Sequence, residues 1–142
     1  EGRPDCSFKG GATGFVRVTG DSEIAFADYD GNGMFKSLGN LDVNPHVGLL
    51  FIAMHGKARR LRVNGRARII RDDPLLREMH GAQLIVRVTA GAIFPNCPRY
   101  IPSMTLDAPS SFTPGSDGVV EPGWKTSDGF KDVVPPRLPT KA

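Results

Sequence analysis

Cysteine is scarce: Cys6 and Cys97 are the only two in 142 residues. They make no CxxC and no zinc-like spacing, which excludes a thiolate metal site and a thioredoxin-like redox pair. Two free thiols of a cytosolic protein are the plain reading. A disulfide would need Cα atoms about 4.4–6.8 Å apart, which sequence alone does not show. Aromatic residues are also few, at 8% of the chain with a single Trp. That leaves little material for a base-stacking platform. No apolar run reaches the ~18 residues of a membrane-spanning helix. The longest, Val47–Met54, has the length of a strand. Motifs of the HExxH, GxSxG and P-loop kinds are missing, so no metal site or hydrolase is announced. Glu1-Gly2-Arg3-Pro4 lacks the basic and apolar pattern of a signal peptide, and a cytoplasmic location is expected. Glu1 in place of Met suggests a processed or trimmed form of a longer protein.

What is present is a mildly basic chain with one domain's worth of core. The net charge is +3, and 39% of residues are hydrophobic. The charge suits an anionic ligand and also allows nucleic acid. Basic residues gather at Lys57, Arg59, Arg60 and Arg62 and continue through Arg66, Arg68 and Arg71. A solvated strand face accounts for such a run equally well. Residues 1–102 are expected to form the folded unit. Residues 103–142, rich in Pro, Gly and Ser, form an extension that packs on the barrel or on a partner subunit.

Arg3–Lys9 reads as an extended first strand, and Gly10–Gly14 as a turn. Phe15–Thr19 alternates apolar and polar, Gly20-Asp21-Ser22 turns, and Glu23–Ala27 returns, which together predict a hairpin. Asp28–Gly33 is dense in turn formers. Met34, Leu38 and Leu41 at helical spacing predict a short helix from Met34 to about Val43, stopped by Asn44-Pro45. Val47–Met54 is expected to be a buried strand. Arg59–Arg71 is a long strand, with Gly65 marking a bulge or bend. Asp72-Asp73-Pro74 caps a helical turn over Leu75–His80. Leu84, Val86 and Val88 alternate with Ile85, Arg87 and Thr89 in a strand whose continuation reaches Phe94. Pro95–Tyr100 reads as a rigid loop. Five to seven strands at hairpin spacing predict a mainly β fold, an antiparallel split barrel with a few short helices.

Chemistry has four candidate places. Asp28–Asn40 feeds a glycine-rich turn into a helix N-terminus, with Asn32 in the turn and Lys36 and Ser37 one step inside. Backbone N–H groups, an ammonium and a hydroxyl suit a phosphate. On the second strand, Arg59 and Leu61 share one face while Arg60 and Arg62 share the other. Cys97 lies between two prolines, and a structural loop or subunit contact suits it better than nucleophilic work. Trp124 either anchors the tail or stacks on a ligand. Val133–Pro139 reads as an extended arm.

Three blocks, Phe26–Asn40, Asn44–Ile52 and Arg59–Ala67, together resemble the pyridoxamine 5′-phosphate oxidase-like family of FMN-binding split barrels. The likeness runs from Gly2 to Ile101, with a weaker echo over Trp124–Pro136. It leans to a bacterial branch in which Pro95-Asn96-Cys97-Pro98-Arg99-Tyr100 recurs. The resemblance implies a homodimer with FMN at the subunit interface, acting as an oxidoreductase on a small molecule. A deazaflavin is the alternative cofactor. It places Lys36 and Ser37 at the phosphate and Arg59, Arg60 and Leu61 along the ring. Ser7, Asp28, Tyr29 and Asn32 are further cofactor candidates. Two positions depart from the oxidases proper. Ser7 stands where they have an arginine, and Arg60 where they usually have a glutamine. Their C-terminal signature for the pyridoxal substrate is also unrecognisable, so pyridoxamine phosphate oxidation is not the expected activity. A flavin-storage module without turnover is the rival function, and a basic nucleic-acid-binding barrel the lesser one.

Overall fold

A computed structural model describes residues 3–115 and 120–136. Five strands form one antiparallel sheet. In chain order they are β1 (Val16–Gly20), β2 (Glu23–Tyr29), β3 (His46–Ala53), β4 (Arg59–Ile70) and β5 (Ala82–Asn96), with helix α1 (Lys36–Val43) between β2 and β3. The spatial order is β1-β2-β5-β4-β3. The fold is therefore mainly β, as in a split barrel.

β5 is central, and its sequence shows why. Leu84, Val86 and Val88 point to one face, and Ile85 to the other, with all four buried. The first face joins Phe26, Ala67 and the helix residue Leu38 in one core, with Leu41, Val47 and Ile69 at its margin. The second packs Ile85 and Ala82 with Ala25, Ala27, Leu76 and Met79. A strand apolar on both faces has to lie between two layers. The layers are α1 on one side and the 3-10 turn Pro74–Arg77 on the other.

That turn is fastened by charge. Asp73 caps it by accepting from Leu75 N at 3.0 Å, as its sequence suggested. The same carboxylate accepts from Arg87 Nε at 2.5 Å and Nη2 at 3.0 Å. Arg87 also reaches Glu23 at 2.6 Å, and Glu23 takes Arg68 at 2.8 Å. A guanidinium with two carboxylates thus ties the turn, β2, β4 and β5 together. Arg87 and Arg68 hold Asp73 and Glu23 below the ordinary carboxylate range, Glu23 at about 2.

Gly65 marks a bulge, as expected. Asn64 pairs with Ala92 and Gly65 with Ala90, so Gly91 is the extra residue on β5. The helix starts two residues later than predicted, at Lys36, and β2 runs on to Tyr29. β5 continues past Phe94 to Asn96, so Pro95 lies inside the strand.

Two strand expectations are corrected. Arg3–Lys9 pairs with no strand; its polar groups turn to side chains instead, as at Asp28 and Ser37. Val47–Met54 is no buried strand. β3 is an edge strand, and none of its residues is buried. Its apolar residues point both ways, but only alternate ones are half-covered, leaving Leu50 50% and Ile52 37% exposed.

Beyond β5 the described tail carries one 3-10 turn, Gly123–Thr126. Trp124 packs edge-on to Phe130 at 5.6 Å, within the tail itself. Lys125, 8% exposed, pairs with Asp30 and fixes the tail to the β2–α1 loop. Val133 and Val134 belong to a turn rather than an extended arm, and Arg137–Pro139 lie outside the described residues.

Candidate functional site

The loop between β2 and α1 is the strained part of the backbone. Gly33 has φ +73°, which glycine alone adopts freely. Phe35 follows with φ 47° and ψ 28°, the left-handed region for a bulky side chain. Such conformations persist where surrounding structure over-determines them, and they concentrate at binding sites.

A cavity of about 460 Å³ opens beside this loop. Ser7, Asp28, Tyr29, Asn32, Lys36 and Ser37 all line it. Six of the nine residues singled out in sequence therefore meet in one place. Asp28 and Tyr29 arrive at the end of β2, Asn32 on the loop, and Lys36 and Ser37 on the first turn of α1. Burial pushes the Tyr29 phenol up from its ordinary value.

Sequence reading missed the cavity's acidic occupant. Asp5 lies on the segment that was expected to be a strand. Its carboxylate accepts a short hydrogen bond from Ser37 Oγ and sits 3.8 Å from Lys36 Nζ. The Ser37 hydroxyl, followed by the Cys6 backbone N–H and then Lys36, holds the Asp5 carboxyl below its usual range. Lys9 donates to Asp28 at 2.7 Å nearby. No local signal marks Asp5 in advance, because Ser37 lies 32 residues further along the chain.

Arg59, Arg60 and Leu61 do not line this cavity. They open β4, opposite Ala53, Ile52 and Phe51 of β3. Arg60 is turned to the loop after β5, where it donates to the Cys97 carbonyl oxygen. Its Nε, like Asn96 Oδ1 across the ladder, is buried without a partner among the described residues. Further along β4, Arg66 Nη1 lies 3.0 Å from His46 Nε2, while His46 Nδ1 lies 3.0 Å from Asn44 Oδ1. With its proton on Nδ1 the ring donates to Asn44 and accepts from Arg66. Cys6 and Cys97 are both exposed free thiols. Among the described residues no three His, Cys, Asp or Glu side chains converge as metal ligands, and no helix is long and apolar enough to cross a membrane.

Comparison with solved structures finds HupZ of Group A Streptococcus, 13% identical, with TM-score 0.46, covering 57% of this chain and 68% of that one. A single-residue variant of HupZ matches at 13% and 0.46, covering 58% and 73%. Likenesses that distant add nothing to the assignment. No curated protein matches the chain. A sequence model described as pyridoxamine 5′-phosphate oxidase matches residues 1–106, most of the chain and all of the sheet. The chain belongs to the pyridoxamine 5′-phosphate oxidase family of flavin-binding split barrels.

Proposed function

We propose that this protein binds FMN and acts as an oxidoreductase on a small molecule, as a homodimer with the cofactor at the subunit interface. One observation carries the reading. The Lys36 ammonium and Ser37 hydroxyl already grip a carboxylate, that of Asp5. A site that holds one oxyanion in this way has the donors a phosphate needs.

Lys36 and Ser37 would hold the phosphate, with Asn32 and the loop backbone as further donors. Asp28, Tyr29 and Ser7 would line the remainder of the cavity. Arg59, Arg60 and Leu61 would lie along the ring, with the Arg60 guanidinium supplying positive charge there. When bound, the flavin supplies the redox chemistry. The protein residues bind it, orient it and shield it from water. A deazaflavin would use the same phosphate donors.

Homodimerisation is supported by the apolar residues that β3 leaves bare, Leu50 and Ile52 on one face and Met54 just beyond. Exposed apolar side chains side by side on an edge strand favour a partner. Residues 1–102 are proposed as the cofactor unit, with 103–142 as its extension. Within the basic run, Arg60, Arg66 and Arg68 are engaged by Cys97, His46 and Glu23, which weakens the case for a nucleic-acid surface.

The test is spectroscopic. The purified protein should carry a flavin absorbance, or bind added FMN with a rise in melting temperature. A colourless protein indifferent to FMN would end the proposal. Reduction by a nicotinamide followed by reoxidation with a defined product separates an enzyme from a storage module.

A further inference from the structure

The strained loop that borders the cavity is gripped from the far end of the chain. Lys125, 95 residues away in sequence, pairs with Asp30 at the loop's start. The Lys125 side chain is buried and that of Asp30 largely covered, at 7% and 11% exposure, and Glu121 stands 3.6 Å from the same ammonium. At the other end of the loop, a Cβ placed on Gly33 would meet Pro135 Cδ at 2.8 Å and Cγ at 2.9 Å. The tail therefore presses on Asp30 and Gly33, and between them lie Gly31 and Asn32, both lining the cavity.

A buried ion pair is a poor source of net stability, because desolvation offsets most of its attraction. It does fix position, since an ammonium and a carboxylate out of water tolerate little separation. Position is what this loop requires. Gly33 and Phe35 both sit in the left-handed region, and that backbone must be held from outside. α1 offers no side-chain cap at Phe35 to do so.

We propose that Lys125 is a positioning residue for the cavity: through Asp30 it sets the loop Asp30–Phe35 in the shape that receives a phosphate. The proposal rests on the phosphate reading given above. The tail is then a working part of the site, and a chain lacking it would keep the sheet but lose phosphate discrimination.

FMN and riboflavin differ only by the phosphate, so the ratio of their affinities reads the loop. Both are titrated into the full chain by flavin fluorescence. Wild type should prefer FMN. Lys125→Met should cut that preference about tenfold, the scale of one charge-assisted hydrogen bond, with riboflavin affinity unchanged. Lys125→Arg should restore part of it. Should Lys125→Met fail to fold with Asp30 left uncompensated, the charge-neutral pair Asp30→Asn with Lys125→Met carries the same test. Equal loss of both flavins, or an unchanged ratio, overturns the proposal. Amide exchange at Asn32 and Met34 provides a readout without ligand, and should quicken in the Lys125 variant. Equal affinity of wild type for FMN and riboflavin would sink the phosphate reading and leave the exchange test standing. Unchanged exchange would sink the clamp itself.

Discussion

A Cβ atom on Gly65 would lie 2.2 Å from the carbonyl oxygen of Thr89. The next nearest atoms, Thr89 C at 3.0 Å and Ala90 Cα at 3.1 Å, are also backbone. No side-chain rotation relieves this contact, so β4 and β5 would have to part at the bulge. Gly65→Ala is expected to destabilise the fold by roughly 1–3 kcal/mol, the usual cost of overpacking. Urea titration measures it, and a midpoint equal to wild type would show that the bulge yields freely.

Acid should loosen the same sheet from its charged side. Glu23 and Asp73 are both held below their free values by Arg68 and Arg87. An unfolded chain takes up those protons first, so it binds more protons than the native state across the window. Stability is then complete above about pH 4.5, where the unfolded carboxylates are ionised, and falls as pH drops toward the Glu23 value of about 2. Arg87→Met should flatten this part of the stability–pH curve. A variant curve parallel to wild type between those limits would refute the assignment.

Lys36→Ala should weaken FMN binding by roughly 1–3 kcal/mol, as loss of a charge-assisted hydrogen bond does. Its ion pair with Asp5 is long, at 3.8 Å, so the melting temperature of the ligand-free protein should barely move. Calorimetric titration decides, and unchanged affinity would put the phosphate elsewhere.

Asp5→Asn should act in the opposite direction. The wild-type carboxylate occupies the donors that a phosphate would use, and repels a second anion. Removing its charge should raise FMN affinity several-fold and leave riboflavin affinity alone. Weaker FMN binding in the variant would mean that Asp5 helps to build the site rather than competes for it.

Leu50→Glu should disturb assembly. The side chain is half exposed on an edge strand, so an added charge costs the isolated chain little. At a subunit contact the same charge would be buried without a partner. Sedimentation should show a wild-type dimer and a variant shifted toward monomer. A variant that remains a full dimer would move the interface off β3.

Local pattern revealed much of the fold. The β5 alternation, the Asp73 cap and the Gly65 bulge each depend on neighbouring residues, and each was readable. β3 misled because apolar residues occupy both of its faces, and periodicity cannot say which face has a neighbour. In the candidate site, Lys36, Ser37, Asp28 and Tyr29 lie within one short stretch, and their convergence followed from a strand running through a turn into a helix. Asp5 and Lys125 were out of reach for a different reason. Each meets the loop across a separation of 32 or 95 residues, and nothing in either one's own neighbourhood encodes its partner.

The strand order has a consequence for how the chain is made. β1 with β2, and β3 with β4, are hairpins of neighbours in sequence, yet β5 alone joins them into a sheet. A nascent chain that has emerged only as far as Gly81 holds two separate hairpins, each marginal in water by itself. The long-range pairing of β5 must wait for its last residues, and the loop closures it requires come late and slowly. Until then β2 and β4 expose the edges that β5 will later cover, which makes the interval before β5 emerges the time of greatest risk of misassociation.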